Sequence, residues 1–227
     1  MRPVSILALL IAATTIFGVP AHSQSLDDSL EVYAVYVVKT PPFEKEFTGY
    51  GVYLGKGYVI TAAHVVGHWP FLTHPRVRIG TETFATTVIK EGSFSTTDLA
   101  LLSIDTANVP IDLQLRRNPL CKDPPRIGMQ AIDVLPDKTS RARVINPLSI
   151  APELQRRYKT LIDSPEESGS GLFDAERKCL MGIMSAKMPK LVFQMKGRSL
   201  IATEKGFAGY FVPADQIAGF IPAGLNP

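Results

Sequence analysis

Short apolar runs rich in β-branched and aromatic residues alternate with polar turns along most of the chain. Runs of this length and composition are typical of β-strands. The first group of predicted strands covers residues 31–39, 49–54, 58–61, 76–79, 84–89 and 99–104. The second group covers residues 129–135, 141–145, 159–163, 180–185, 191–195 and 210–212. Because the pattern contains little helix, it predicts an all-β protein.

A strand-poor segment with several prolines, residues 105–125, separates the two groups. Two groups of about six short strands joined by a linker indicate two antiparallel six-stranded β-barrels. We therefore expect one barrel over residues 24–113 and a second over residues 114–227. Residues 213–221 begin with proline, which is favoured in the first turn of a helix, and they predict a short C-terminal helix.

The first residues of the chain follow a different pattern. Arg2 precedes an apolar run over residues 4–19, and small residues stand at the minus-three and minus-one positions of a cleavage site after Ser23. These are the features of a secretory signal peptide, so residues 1–23 are excluded from the fold. The run is short for a membrane span, and an uncleaved N-terminal anchor is the alternative interpretation. Export predicts a periplasmic or extracellular location.

The chain has two cysteines, Cys121 and Cys179. An exported chain can form disulfides, so a single bridge between them is one interpretation. Two buried free thiols are the other, because sequence alone does not supply the geometry of a bridge.

Composition and charge exclude several classes of protein. Hydrophobic residues make up 45% of the chain and charged residues 20%, which is typical of a globular protein rather than a disordered one. The net charge of +3 is small and scattered, so no nucleic-acid partner is expected. No second apolar stretch is long enough to cross a bilayer, so no membrane contact is expected beyond the signal segment. The oligomeric state stays open.

Two polar residues stand at the ends of apolar runs, where catalytic side chains are often held. His64 ends the string Thr61-Ala62-Ala63-His64, and here the sequence resembles the chymotrypsin-like serine proteases, whose general base stands in a Thr-Ala-Ala-His motif. Asp98 directly precedes the run Leu-Ala-Leu-Leu. The family's triad aspartate occupies a similar context, between the histidine and the serine in sequence.

The third element of the resemblance is a serine in a glycine-rich turn. Ser168, Gly169 and Ser170 match the family's nucleophile turn, which reads Gly-Asp-Ser-Gly-Gly or Gly-Asp-Ser-Gly-Ser. The resemblance extends over most of the chain, from about Tyr33 to Ile221. It implies a chymotrypsin-like fold and an endopeptidase that cleaves polypeptides without a cofactor or a metal.

By this likeness, Ser168 is the nucleophile, His64 is the general base and Asp98 orients the imidazole. The backbone N–H groups of Glu166 and Ser168 would form the oxyanion hole. Ser185, Ala186 and Lys187 lie in a strand similar to the one that flanks the family's substrates.

The chain departs from the family at two positions before the nucleophile. Glu166 replaces the oxyanion glycine. A Cβ there strains a conformation that glycine adopts freely, and a carboxylate is electrostatically unfavourable next to the negative charge that develops on the substrate oxygen. Glu167 replaces an aspartate and requires a cationic partner that the likeness does not identify. A catalytically weak or inactive homologue that binds peptides or a partner protein is therefore the alternative function.

The specificity pocket has three interpretations. In the family the residue at the base of the pocket lies six positions before the nucleophile. Counting back from Ser168 without a gap puts Ile162 at the base, which favours a small or medium apolar side chain in the substrate. A shift of one residue puts Asp163 at the base and favours a basic side chain. Lys187 on the pocket wall would instead attract an acidic side chain.

A histidine cluster in the sequence resembles a metal site only in its spacing. His64, His68 and His74 follow one another at short intervals, but no acidic partner or helical pattern accompanies them. We expect no metal there.

Overall fold

The structure is a computed structural model that describes residues 28–40, 46–67, 74–197 and 199–225. The predicted signal segment 1–23 and His68 lie outside these residues. Within the described residues, no helix has the length and apolar character needed to cross a membrane.

The first barrel contains β1 (Ala34–Lys39), β2 (Phe47–Gly55), β3 (Tyr58–Thr61), β4 (Arg76–Ile79), β5 (Glu82–Glu91) and β6 (Ala100–Ile104). These strands close in the order β1-β2-β3-β6-β5-β4, and each pairing is antiparallel. The β2–β3 turn contains Gly55 and Gly57, both with positive φ, as the sequence predicted for a tight hairpin.

The second barrel contains β7 (Gln130–Leu135), β8 (Lys138–Ile145), β9 (Leu161–Ile162), β10 (Gly171–Asp174), β11 (Leu180–Lys196) and β12 (Ser199–Pro213). It closes in the order β10-β11-β12-β9-β8-β7. The two closed six-stranded barrels confirm the predicted all-β fold.

The described residues also contain three short α-helices, α1 (Ala63–Val66), α2 (Ile111–Leu115) and α3 (Ala214–Phe220), and three 3-10 helices. The helix α3 agrees with the predicted C-terminal helix and is bounded by Pro213 and Ile221 as its cap residues. The helix α2 lies in the segment between the barrels.

The strand boundaries in the second barrel differ from those predicted. The strands expected at 180–185 and 191–195 form one strand of 17 residues, and the strand expected at 210–212 is the end of one of 15 residues. Polar residues and glycines near the hairpin turn weaken the strand pattern in the sequence. The two strands nevertheless continue because they pair with each other, from Gly182↔Pro213 to Lys196↔Ser199.

The largest buried cluster is shared by both barrels. It contains Val52, Leu54, Ile60, Leu99 and Leu101 from the first barrel, and Ile132, Val134, Phe173, Ile183 and Val212 from the second. These strand residues alternate with residues on the opposite face, so one side of each strand fills the contact between the barrels. Ile217 and Phe220 of α3 join the same cluster.

A disulfide joins Cys121 to Cys179, which decides between the two interpretations of the cysteines. Next to it, Leu120 and Leu180 form a short parallel bridge. The connection between the barrels is therefore fixed to the start of β11 both covalently and through backbone hydrogen bonds.

Candidate active site

The imidazole of His64 projects from the single helical turn α1, which begins directly after β3. Ala62, Ala63, Val65 and Val66 around it are buried, whereas the His64 side chain is 32% exposed. The small alanines let the turn pack against the barrel, so the histidine alone is directed outward. This explains why an apolar run here ends in a polar residue.

Asp98 lies directly before β6 and is buried, with its carboxylate toward His64. Asp98 Oδ2 is 2.7 Å from His64 Nδ1, and Asp98 Oδ1 accepts a hydrogen bond of 3.0 Å from the His64 backbone N–H. Ser185 Oγ also donates to Asp98 Oδ2, at 2.5 Å. Burial raises the pKa of Asp98, but the hydrogen bonds from His64 and Ser185 lower it, and the pKa lies below its ordinary value. Asp98 is therefore a stable anion that can orient the imidazole.

Ser168 lies in the turn between β9 and β10, and its backbone carbonyl accepts a hydrogen bond from Tyr50 N at 3.3 Å. Gly169 follows with φ of +87°, and a Cβ there would collide with Tyr50 O. A glycine is thus required for the turn to approach the first barrel this closely. Ser168 Oγ donates to Ser185 O at 3.3 Å, and among the described residues it makes no hydrogen bond to His64.

The backbone around the predicted oxyanion hole adopts a closed arrangement, in which one of the two predicted donors is hydrogen-bonded within the protein itself. The N–H of Glu166 donates to Asp133 Oδ2 at 2.8 Å, and Asp133 is fully buried. While this bond is made, the Glu166 N–H is directed into the second barrel and is not available to a substrate. Ser170 Oγ donates to the other oxygen, Asp133 Oδ1, at 2.5 Å. Burial raises the pKa of Asp133 to about 7, despite both hydrogen bonds.

The side chains of the two glutamates before Ser168 are each paired. Glu166 Oε1 accepts hydrogen bonds from Lys138 Nζ at 2.7 Å and from Ser140 Oγ at 2.5 Å. Glu167 pairs with Lys187, with an Oε1 to Nζ distance of 2.9 Å. Lys187 is therefore the cationic partner of Glu167 that the sequence did not identify, and its charge is already partly compensated.

Of the residues predicted to form the specificity pocket, Ile162 lies beside Gly209. Ile162 is fully buried, and a Cβ on Gly209 would collide with Pro165 and with the Met184 side chain. The neighbours of Gly209 are thus apolar. Asp163 is directed elsewhere: its Oδ1 accepts a hydrogen bond of 2.8 Å from Arg143 N, next to the β8–β9 ladder. Ala186 and Lys187 pair with Tyr210 and Gly209 on β11 and β12.

A cavity of about 540 Å³ opens beside the imidazole and is lined in part by His64, Gly92 and Phe94. The Phe94 ring lies edge-on to His64, with a centroid distance of 5.7 Å. The Arg157 guanidinium lies 5.0 Å from the Phe94 centroid and donates to Phe94 O. Because Arg157 belongs to the second barrel and Phe94 to the first, this pair spans the two barrels beside the site.

The structure brings His64, Asp98 and Ser185 into direct contact, and Ser168 contacts Ser185. Sequence reasoning missed Asp133 as a partner of the Glu166 amide. One signal was present, since Asp133 is the only charged residue within the apolar run 131–135. A charge in such a run is buried, and buried charges have partners.

No metal centre can be assigned to these residues. Among the described residues, Cys121, Asp174 and Cys179 are grouped at a distance suitable for a metal ion. The two cysteines form the disulfide, so their thiolates are not available as ligands. Because His68 lies outside the described residues, the arrangement of the histidine cluster is not described.

The two closed barrels with the site between them are the architecture of the chymotrypsin-like serine proteases. Solved structures with this fold include the active form of the Rv3671c protease from M. tuberculosis, which is 18% identical over 97% of this chain and 92% of its own, with a TM-score of 0.59. The MamO protease domain from Magnetospirillum magneticum is 20% identical over 85% of this chain and 97% of its own, with a TM-score of 0.54. Kallikrein-related peptidase 10 is 18% identical over 83% of this chain and 93% of its own, with a TM-score of 0.54.

These similarities establish the fold of the chain, which the resemblance at the motifs had implied. No protein-family model matches the sequence, and no curated protein matches it.

Proposed function

We propose that this chain is an exported serine endopeptidase in which Ser168, His64 and Asp98 hydrolyse peptide bonds through an acyl-enzyme. The observation that carries the proposal is the 2.7 Å contact between His64 Nδ1 and the buried Asp98 carboxylate. This contact directs the other ring nitrogen, Nε2, away from Asp98 and leaves it free to accept a proton.

The chemistry follows from these positions. Ser168 Oγ first turns from Ser185 O toward His64, gives its proton to Nε2 and forms a bond to the carbonyl carbon of the substrate. The imidazolium, stabilised by Asp98, then protonates the leaving amine as the carbon–nitrogen bond breaks. Water attacks the acyl group by the same route in reverse, and the carboxylic acid product leaves Ser168 free.

The oxyanion that forms during both steps needs donors. The backbone N–H of Ser168 is one, and the N–H of Glu166 becomes the second when it leaves Asp133. The closed loop is thus a resting state, and turnover requires the Glu166 peptide to reorient.

The substrate is a polypeptide, and we infer that a small or medium apolar residue precedes the scissile bond. Ile162, Pro165 and Met184 around Gly209 give an apolar environment without a free charge. Export rests on the signal features of residues 1–23, and the disulfide agrees with an oxidising compartment.

The alternative is a homologue that binds polypeptides without cleaving them. The specific observation in its favour is the Glu166 amide, which is directed to Asp133 rather than to a substrate.

A fluorophosphonate probe and a casein assay separate the two functions. We expect the wild type to be labelled and to cleave casein, and Ser168→Ala to lose both, with a fall in turnover of about a million-fold. Ser164→Ala is the matched control, because Ser164 is exposed in the same turn and should keep full activity. A folded wild type that is neither labelled nor active would support the binding function. Casein cleavage that survives in Ser168→Ala would remove Ser168 from the mechanism.

A further inference from the structure

The hairpin of β11 and β12 extends beyond the second barrel as a two-stranded arm, which we define as Leu191–Lys196 and residues 199–204. Directly opposed residues of an antiparallel pair project from the same face. The pairs Leu191↔Glu204, Phe193↔Ala202 and Met195↔Leu200 therefore share one face of the arm. Five of these six side chains are apolar.

This apolar face is open to solvent at its outer end. The exposed fractions are 49% for Phe193, 67% for Met195 and 64% for Leu200. The opposite face carries mainly polar side chains, among them Gln194, Lys196, Ser199 and Thr203. The arm is thus amphipathic, although within the described ranges no core lies under the outer end of its apolar face. Contiguous apolar surface of this kind marks a site of interaction.

The charge of the arm indicates what that partner is. Between residues 190 and 205 the sequence has four basic residues and one acidic residue, which are Lys190, Lys196, Arg198, Lys205 and Glu204. The net charge of this segment is +3, equal to the net charge of the whole chain. The remaining charges of the sequence sum to zero, so the net positive charge, which looked scattered along the chain, lies in the segment that forms the arm.

A second copy of the chain does not fit this surface well, because two arms in contact would bring like charges together. A surface that is anionic outside and apolar inside fits both properties. We propose that the arm docks on an anionic lipid bilayer, with Phe193, Met195 and Leu200 at the boundary of the acyl chains and the basic residues among the headgroups. This adds a membrane contact that the sequence patterns did not predict.

The arm is continuous with the candidate active site through β11. Ser185 contacts both Asp98 and Ser168, and Met195 lies ten residues farther along the same strand. At the rise of a β-strand this corresponds to roughly 30 Å. A docked arm would therefore keep the cleft within about that distance of the membrane contact, within reach of membrane-proximal polypeptides. The docking itself does not depend on the proposed peptidase activity.

Vesicle sedimentation tests the proposal with a chain that starts at Gln24, which keeps every described element and lacks the apolar segment 4–19. We expect co-sedimentation with vesicles of phosphatidylcholine and phosphatidylglycerol, weakened by salt, and none with phosphatidylcholine alone. Met195→Ser combined with Leu200→Ser should reduce binding at least tenfold. Gln194→Ser combined with Thr203→Ser, on the opposite face, should retain it.

Tryptophan fluorescence is a second measurement, in which binding produces a signal instead of abolishing one. The chain has one tryptophan, Trp69, and the wild-type protein on the same vesicles supplies its emission as the blank. Phe193→Trp should shift its emission to shorter wavelength on anionic vesicles, and Gln194→Trp should shift less. The proposal is overturned by a wild type that ignores anionic vesicles, as for an arm that binds an acidic protein. The proposal is also overturned if both double variants lose vesicle binding equally. A dimer that forms without lipid, and that dissociates only in Met195→Ser with Leu200→Ser, would overturn it as well.

Discussion

The backbone N–H of Glu166 donates a hydrogen bond to the buried carboxylate of Asp133, with N and Oδ2 2.8 Å apart. The same glutamate is held through its side chain by Lys138 and Ser140. These contacts together hold the loop before Ser168 in a conformation that withholds the proposed oxyanion donor, the Glu166 N–H. The departure from glycine at this position therefore changes the backbone as well as the local charge.

Replacing Glu166 with glycine should raise turnover. Glu166→Gly removes both side-chain hydrogen bonds and lets the peptide reorient freely, since glycine has no Cβ. We expect kcat to rise about tenfold, within the hundredfold or more that one oxyanion donor contributes. Steady-state kinetics on a peptide substrate measures this. Lys138→Ala and Ser140→Ala, each of which removes only one side-chain contact, should show smaller gains. A lower kcat for the glycine variant would show that Glu166 already assists catalysis.

Asp133 should make the stability of the protein depend on pH in an unusual direction. Burial raises its pKa from 3.8 to about 7, so between these values the unfolded chain ionises while the folded protein keeps the proton. The contribution of Asp133 to the free energy of unfolding therefore decreases as pH rises from 3.8 to about 7, and it is constant above that pH.

Asp133→Asn removes this titration. As pH rises across the same interval, the free energy of unfolding of the variant should increase relative to that of the wild type, by at most about 4 kcal/mol. Urea denaturation of both proteins over a pH series measures the difference. Parallel curves for the two proteins would show that Asp133 ionises normally in the folded state.

Ser185 should contribute to catalysis through Asp98. Ser185→Ala deprives the Asp98 carboxylate of a 2.5 Å hydrogen bond in a buried site. A hydrogen bond to a charged group contributes about 1.5–3 kcal/mol, so kcat should fall at least tenfold with little change in KM. Ser185→Thr keeps the hydroxyl and should retain more activity. Equal rates for the wild type and Ser185→Ala would mean that His64 alone fixes Asp98.

Met184 should limit the size of the residue accepted before the scissile bond. Met184→Ala opens space next to Gly209, so cleavage should shift from small and medium apolar residues toward large ones such as phenylalanine. Profiling cleavage sites in a digested proteome measures this shift. Met181→Ala is the matched control, because Met181 is equally buried in β11 but is not among the three nearest neighbours of a Cβ at Gly209. Wild-type cuts mainly after lysine and arginine would point to Asp163, and cuts mainly after glutamate would point to Lys187.

The sequence predicted the features that depend on local strings. The strands of the first barrel, the turn at Gly55, the apolar contexts of His64 and Asp98 and the C-terminal helix all follow from neighbouring residues, whereas β10 was not among the predicted strands. The disulfide remained open until the fold brought Cys121 and Cys179 together.

Contacts between distant residues were not predicted. Asp133 and Glu166 are 33 residues apart, and Phe94 and Arg157 are 63 apart, so no local pattern links them. The strand at 191–195 was predicted, but its partner in the arm, residues 199–204, was missed for a different reason. These residues are exposed in the part of the chain that the structure describes, and strand prediction depends on the alternation that a core imposes.

The buried cluster that both barrels share makes the molecule a single cooperative unit. Neither barrel can separate without exposing Leu101 and Phe173, so a calorimetric scan should give one transition whose van't Hoff and calorimetric enthalpies agree. A barrel produced alone would carry this apolar surface into solvent and aggregate. Any change in the shape of the cleft is therefore expected in its loops, since the two barrels that carry His64 and Ser168 are packed against each other.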